Sequence, residues 1–169
     1  MSDKATLAQL LDLAIAAERA AEELYHGLEA KFAHHEAVAA FWREYAGEEA
    51  MHAEWLERLR DSLTPGRLSA PADPGVLQEA NRALQVPVER MLQDIHNLED
   101  AYQLVNDLEN SETNAVFDFL ITNFAEDKKT QAFLRSQLKD HIGKLAIDFP
   151  VQFKLASVRR EIKVKNLSG

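Results

Sequence analysis

Cysteine is missing from the whole 169-residue chain. Its absence excludes disulfide bonds, iron–sulfur clusters, zinc or iron held by thiolates, and a cysteine nucleophile. Glycine and proline are scarce, with six and five residues respectively, and most of them lie between long segments of periodic hydrophobicity. A chain whose helix-breaking residues are few and concentrated in such gaps is typical of an all-α protein.

The chain also lacks a positive net charge and any long apolar run. Its formal net charge is −9, which argues against nucleic-acid binding because such proteins carry a basic surface. No apolar run reaches the roughly 18 residues of a transmembrane helix. The N-terminus leads into an amphipathic segment without the apolar core of a signal peptide. We therefore expect a cytoplasmic protein that binds neither nucleic acid nor membranes.

Two long segments carry polar residues in the middle of otherwise apolar helical stripes. Spacings of three and four residues define the stripes Leu7, Leu11, Ala14, Glu18, Ala21, Tyr25, Leu28, Phe32 and Val38, Trp42, Tyr45, Glu49, His52, Leu56, Leu59, Leu63. A buried carboxylate is normally paired or bound to metal, because burying it alone is costly. Glu18, together with the E-x-x-H of Glu49 and His52, therefore predicts a metal site in a bundle core. The alternative is a hydrogen-bonded cluster without metal.

Turn-forming residues divide the chain into four long helices and one crossover. The predicted helices span about residues 4–31, 36–62, 87–109 and 114–147, and a crossover rich in proline and glycine spans 63–86. Two helical hairpins joined by a long crossover form a ferritin-like four-helix bundle. We expect this domain to cover residues 1–148, followed by a basic C-terminal extension over 149–169.

The fourth predicted helix offers weaker ligands than the second. Superposing the second helix on the fourth places Glu49 on Asp127 and His52 on Thr130. The carboxylate is thus retained in shortened form and the histidine is lost. His141 lies three turns further on, so we expect it to be a core histidine at the end of the bundle.

The third predicted helix allows two phases of its apolar stripe. One phase contains Leu98 and Val105 and leaves Glu99 at its edge, with Ile95 in the position equivalent to Glu18. The other phase places Glu99 in the core. Because Ile95 and Tyr102 flank Glu99 in both phases, the pattern slightly favours a Glu99 that points inward.

The first two helices resemble those of the rubrerythrins, within the ferritin-like superfamily. The resemblance is carried by Ala14-Ile15-x-x-Glu18-x-x-Ala21-x-x-Leu24-Tyr25 and by Tyr45-Ala46-Gly47-Glu48-Glu49-Ala50-Met51-His52. It implies a carboxylate-bridged di-iron centre that reacts with peroxide or dioxygen. In such a centre Glu18 would be a terminal ligand of the first metal, Glu49 would bridge both metals, and His52 would be the imidazole ligand of the first.

The same resemblance implies further roles on the remaining helices. Tyr25 would be a catalytic residue that donates a hydrogen bond close to the centre, and Glu99 and Asp127 would hold the second metal. The chain departs from the family where a second E-x-x-H is expected, since that window reads Asp127-Lys128-Lys129-Thr130. It also lacks the cysteine-ligated rubredoxin domain, so electrons would come from an external donor.

Three functional hypotheses follow from these residues and the resemblance. The first is a rubrerythrin-like oxidoreductase of oxidative-stress defence that reduces hydrogen peroxide or oxidises Fe(II). The second is a non-catalytic bundle with a degenerate site, used for metal storage, delivery or protein interaction. The third, ranked last because no organic substrate is indicated, is an oxygen-activating hydroxylase. We also expect a homodimer.

The ligand types limit the metals that such a site would take. Carboxylate and imidazole ligands suit iron, manganese and zinc, and the family resemblance favours two irons, although a reduced ligand set would retain one ion. A metal-bound histidine usually donates its other N–H to a carboxylate or a carbonyl. Glu22 and Glu48 are the candidates for that partner.

Overall fold

The computed structural model of the chain describes residues 4–110 and 113–149. Apart from Phe149, the predicted C-terminal extension therefore lies outside the described residues. The described part contains eight helices and no strand: α1 (Leu7–Lys31), α2 (Glu36–Ser62), α3 (Pro65–Leu68), α4 (Pro74–Arg82), α5 (Val88–Gln93), α6 (Leu98–Glu109), α7 (Thr113–Phe124) and α8 (Lys128–Asp148). The predicted all-α class is confirmed.

Helices α1 and α2 form a long antiparallel hairpin, which is the largest helix–helix contact of the described chain. A capping box begins α1, because the Thr6 side chain accepts from the Gln9 N–H and the Gln9 side chain accepts from the Thr6 N–H. Each helix buries one apolar stripe and exposes its opposite face. The hairpin therefore supplies a preformed surface on which the remaining helices pack.

Buried apolar side chains form two clusters, one above the other along the bundle. The upper cluster contains Leu24, Tyr25, Leu28 and Phe32 of α1, Val38, Phe41, Trp42, Tyr45 and Ala46 of α2, and Ile95, Leu98, Ala101, Val105, Leu145 and Phe149. The lower cluster contains Leu7, Leu10, Leu11, Ala14 and Ile15 of α1, Leu56 and Leu59 of α2, and Ala80, Val116, Phe117, Leu120, Ile121, Leu134 and Leu138. The level between the clusters holds the polar residues described below.

The two clusters also give the direction of the later helices. Helix α6 contributes to the upper cluster and α7 to the lower one, so the two follow each other down the bundle. Helix α8 begins in the lower cluster with Leu134 and ends in the upper cluster with Leu145. The chain thus runs up along α1 and down along α2, returns through the crossover, and then runs down along α6 and α7 and up along α8. The predicted ferritin-like bundle is confirmed.

The crossover returns the chain from the lower to the upper end of the hairpin. Its first part is tied to the start of α1, where the Leu7 N–H donates to the Ala70 carbonyl at 2.9 Å and the Ala72 N–H to the Ala5 carbonyl at 2.8 Å. Its last part, α5, packs against α1. The crossover therefore forms a wall along one side of α1.

The third and fourth helices of the bundle differ from those predicted. The third consists of α6 followed by α7, and the fourth is α8 alone, whereas the sequence pattern favoured helices over 87–109 and 114–147. The break before α8 has a local cause. The Asp127 side chain accepts from the Thr130 N–H at 2.7 Å, as the N-cap of α8, and aspartate is among the residues that start helices best.

Gly27 sets how closely α5 approaches α1. A Cβ atom at Gly27 would overlap the Leu92 side chain of α5, whereas one at Gly47 in α2 would meet nothing within 4 Å. We expect Gly27→Leu to lower the free energy of unfolding by about 1–3 kcal/mol, as overpacking does, and the matched Gly47→Leu to leave it unchanged or higher. Urea denaturation measures both variants. Equal effects of the two substitutions would contradict a close contact at Gly27.

Candidate metal centre

Five polar side chains are buried at the level between the upper and lower clusters. They come from all four helices of the bundle: Glu18 from α1, Glu49 and His52 from α2, Glu109 from the end of α6, and His141 from α8. Each is at most 6% exposed. Apolar side chains lie above and below them on the same helices, so these groups face one another in the interior of the bundle.

The five side chains form two groups that share Glu49. In the first group, His52 Nδ1 lies 3.0 Å from Glu49 Oε2 and 3.6 Å from Glu18 Oε2. In the second, His141 Nε2 lies 2.8 Å from Glu49 Oε1 and 3.1 Å from Glu109 Oε2. Each group offers one ligand atom per residue, and the three atoms lie within 4.8 Å of one another. Glu49 thus presents one oxygen to each histidine.

The donor set fits a metal. Three carboxylates and two imidazoles suit iron, manganese or zinc. In addition, His141 Nε2 is buried and makes no aligned hydrogen bond within the described part of the chain, although two carboxylate oxygens lie close to it. An imidazole nitrogen held among carboxylates without an aligned partner is suited to a cation between them. Each group could hold one ion.

Burial and mutual contacts shift the ionisation of the first group. Burial, and after it the charge of Glu49, raise the pKa of Glu18 to about 8. Burial opposes the charge of Glu49, but its contacts with His141 and His52 outweigh burial and lower the pKa of this carboxyl. Burial likewise opposes the charge of His52, whose carboxylate partners nevertheless raise its pKa to about 9. Without metal, protons therefore balance the buried carboxylates.

A chain of charged side chains holds His141 from outside the cluster. Glu48 Oε2 lies 2.5 Å from His141 Nδ1, Glu48 Oε1 accepts from Lys144 Nζ at 2.6 Å, and Lys144 also donates to Glu44 at 2.7 Å. Because Nδ1 faces Glu48, Nε2 faces the cluster, which is the usual arrangement of a histidine that binds metal. The pKa of His141 rises to about 12, because Glu109, Glu48 and Glu49 outweigh its burial.

Aromatic residues complete the upper boundary of the cluster. The Tyr45 ring stacks on the His141 ring with centroids 4.1 Å apart, and its hydroxyl donates to the His141 carbonyl at 2.9 Å. The Tyr25 hydroxyl donates to Glu109. Burial and the charge of Glu109 hold the pKa of Tyr25 well above its usual value, so the phenol stays a neutral hydrogen-bond donor.

The structure brings together some of the residues that the sequence singled out and separates others. Glu18, Glu49 and His52 meet in one group, and Tyr25 donates to Glu109 of the other group. Glu99 lies half-buried in the first turn of α6, ten residues before Glu109 and thus roughly 15 Å away along the helix axis. It does not take part in either group, and the phase that turned it toward the site is corrected.

Asp127 is also corrected as a site residue. Its carboxylate is exposed and caps α8, and it lies 14 residues before His141, roughly 21 Å along the helix. The hydrogen bond from the Thr130 N–H lowers its pKa. Consequently Thr130 does not occupy the position of the missing histidine. His141 lies in the cluster instead, with its Nε2 atom 2.8 Å from Glu49 Oε1, and its placement at the end of the bundle was wrong.

Two members of the cluster, Glu109 and His141, were not predicted as ligands. The buried residues of α6 are Leu98, Ala101, Val105 and Glu109, which extends by one turn the phase that left Glu99 at its edge. His141 was recognised on an apolar stripe, but its height in the bundle was measured from Asp127. The sequence thus contained an apolar phase that leads to Glu109 and an apolar stripe that contains His141. Neither residue was assigned to the site, because the break before α8 was not predicted and the heights of the later helices were therefore wrong.

The fold and the five buried carboxylate and imidazole side chains define a ferritin-like bundle with a candidate metal centre. The family model described as Rubrerythrin matches residues 9–136, roughly three quarters of the chain, and the chain belongs to this family. The match contains Glu18, Glu49, His52 and Glu109 and ends before His141, so the assignment of His141 rests on geometry. No curated protein and no solved structure matches the chain. None of the helices in the described ranges is long and apolar enough to cross a membrane.

The shared position of Glu49 predicts unequal losses of metal. We expect Glu49→Gln to reduce the metal content per chain more than His52→Gln or His141→Gln, because each histidine belongs to one group and Glu49 to both. Elemental analysis after anaerobic reconstitution with Fe(II) measures the content. Glu99→Gln is the matched control, and a loss as large as that of Glu49→Gln would contradict the assignment.

Stability of the metal-free protein should fall as the pH rises from 6.5 to 9. The folded-state pKa values of His52 and Glu18 lie above their ordinary values of 6.5 and 4.5. The stabilisation from their bound protons is therefore complete at low pH and is lost as the pH rises through about 8 and 9. Thermal unfolding at both pH values measures the trend. The metal-loaded protein should show a weaker or opposite trend, because metal competes with these protons.

Proposed function

We propose that this protein is an iron-binding oxidoreductase that reduces peroxide at the carboxylate–histidine centre with electrons from an external donor. The observation that carries the proposal is the pair of ligand groups that share Glu49, in a bundle of the rubrerythrin family. When bound, a pair of irons would supply the two electrons that cleave the O–O bond of a peroxide. The identity of the metal, its number and the donor are predictions.

The residues around the centre have separate tasks in this proposal. Glu18 and Glu109 each serve one group, while Glu49 keeps the groups adjacent and His52 and His141 complete them. Without metal, burial and mutual contacts keep protons on Glu18 and His52, and a bound cation would replace those protons. The upper and lower clusters exclude bulk water, which limits side reactions.

Tyr25 would act as a hydrogen-bond donor beside the centre. Its hydroxyl lies beside Glu109 and also lines the cavity that leads to the centre from solvent. Because its pKa is raised, the phenol carries its proton at neutral pH, and an oxygen that enters the cavity could replace Glu109 as the acceptor of its single O–H. Its ring packs against Trp42 and Tyr45, which fixes the direction of the hydroxyl.

The alternative of a non-catalytic, degenerate bundle is less well supported by the structure than by the sequence alone. It was motivated by a missing second histidine, and His141 supplies an imidazole at the corresponding level. Oxidation of Fe(II) as substrate is also less favoured. Turnover of Fe(II) would require cations to pass repeatedly along a cavity lined mainly by apolar side chains, where a hydrated cation loses water without compensation, whereas a resident metal has to enter only once. The cytoplasmic location and the homodimer stay predictions.

Peroxide turnover by the iron-loaded protein is the decisive test. With an artificial electron donor in excess, hydrogen peroxide should be consumed well above the rate of free iron, and Glu49→Gln should abolish the difference. Consumption no faster than that of free iron, with metal bound, would overturn the proposal and favour the non-catalytic alternative.

Replacement of Tyr25 separates its role from metal binding. Tyr25→Phe keeps the aromatic packing and removes the hydroxyl, so metal content should be unchanged. The rate of peroxide reduction should fall roughly ten- to hundredfold, since a hydrogen bond to a charged group contributes about 1.5–3 kcal/mol. Tyr102→Phe is the matched control. Unchanged kinetics of Tyr25→Phe would remove Tyr25 from the mechanism.

A further inference from the structure

A cavity of about 140 Å³ connects the candidate metal centre with solvent. It lies between α1, the segment 83–88 that leads into α5, and the end of α6. At its inner end it is lined by Glu18, Glu49 and Glu109 together with Tyr25. Carboxylate residues of both groups therefore line one common space, which distinguishes this cavity from a void in the apolar clusters.

Small residues on α1 create this space. Ala17, Ala20 and Ala21 line the cavity. Their side chains are shorter than that of Leu24, the next residue of α1 in the lining, and so leave room beside the helix. The opposite wall is built by the crossover, with Leu84, Val88 and Met91 among its members. Since α5 packs closely on α1 at Gly27, this wall is held at a fixed distance from the alanines.

The entrance of the cavity is apolar as well. Val86 lines it and is 46% exposed, which makes it one of the few large hydrophobic side chains on the described surface. Apart from the carboxylates and the phenol at the inner end, its lining residues are apolar. Such walls disfavour ions and favour a molecule with an apolar body. The carboxylates and the phenol can hydrogen-bond a single polar end.

We propose that this cavity binds a small uncharged organic molecule, with its apolar body between α1 and the crossover and a hydroxyl-bearing end at the carboxylates. Resting on the proposed function, the substrate class is an organic hydroperoxide. Its reduction breaks the O–O bond, consumes two electrons from the external donor and two protons, and yields an alcohol and water. Hydrogen peroxide lacks the apolar body and gains nothing from these walls.

Binding can be measured without any redox step. The probe is 2-phenyl-2-propanol, the alcohol product of cumene hydroperoxide, titrated into the zinc-loaded full chain and followed by methyl NMR of Leu24 and Val86. We expect saturable binding, weakened about tenfold or more by Ala20→Leu, which overfills the cavity. Ala16 lies on the exposed face of the same helix, so the control variant Ala16→Leu should bind the alcohol with the affinity of the wild type.

A second variant guards against misfolding of the first. Val86→Asp places a charge at the exposed entrance and should also weaken binding of the neutral alcohol, while the zinc content stays that of the wild type. If the wild type shows no saturable binding, or if both variants bind the alcohol as well as the wild type does, the proposal is overturned.

Turnover distinguishes failure of this inference from failure of the proposed function. With iron loaded, Ala20→Leu should lower kcat/KM for cumene hydroperoxide about tenfold or more relative to kcat/KM for hydrogen peroxide. Turnover of hydrogen peroxide alone, without binding of the alcohol, would overturn the cavity proposal and leave the proposed function standing. Saturable binding of the alcohol without turnover of either peroxide would sustain the binding site and overturn the proposed function.

Discussion

The structure depends on the balance of charge among five ionisable side chains buried at the middle of an apolar bundle. Three carboxylates and two imidazoles are withdrawn from water there, and isolated charges at such a depth would destabilise the fold by several kcal/mol each. Glu49 lies between both histidines, and Glu48 with Lys144 supports His141 from outside. The axial position of each helix in the bundle is therefore constrained, because a shift of one helix by one turn would leave a buried charge unpaired.

The two apolar clusters provide that alignment. The upper cluster joins α1, α2, α6 and α8, and the lower cluster joins α1, α2, α7 and α8. The polar level is thus clamped from both sides, with the apolar residues supplying most of the driving force for folding. The interruption of the third helix lies next to this level, since α6 ends at Glu109. The ligands consequently sit where the bundle changes from one apolar cluster to the other.

The hairpin of α1 and α2, the crossover and the family could be predicted from the sequence, because their apolar stripes are long and their polar interruptions fall at one height. The later helices could not be placed, since α6 and α7 are each only twelve residues long and the stripe continues through the break before α8. Asp127 had a carboxylate in an apparently suitable position, but its local role as a helix cap prevailed. Once that break is known, the spacing along α6 and α8 leads to Glu109 and His141.

The sharing of Glu49 has a thermodynamic consequence. One carboxylate belongs to both ligand groups, so an ion in either group changes the charge and the orientation that the other group offers. By linkage, the effect of the first occupant on the second must equal the effect of the second on the first. The two positions are therefore coupled, and a binding isotherm of two independent sites would be inconsistent with this arrangement. Binding of two ions to such a centre would therefore be cooperative, with a positive or a negative sign, and its free energy would differ from the sum for two independent sites.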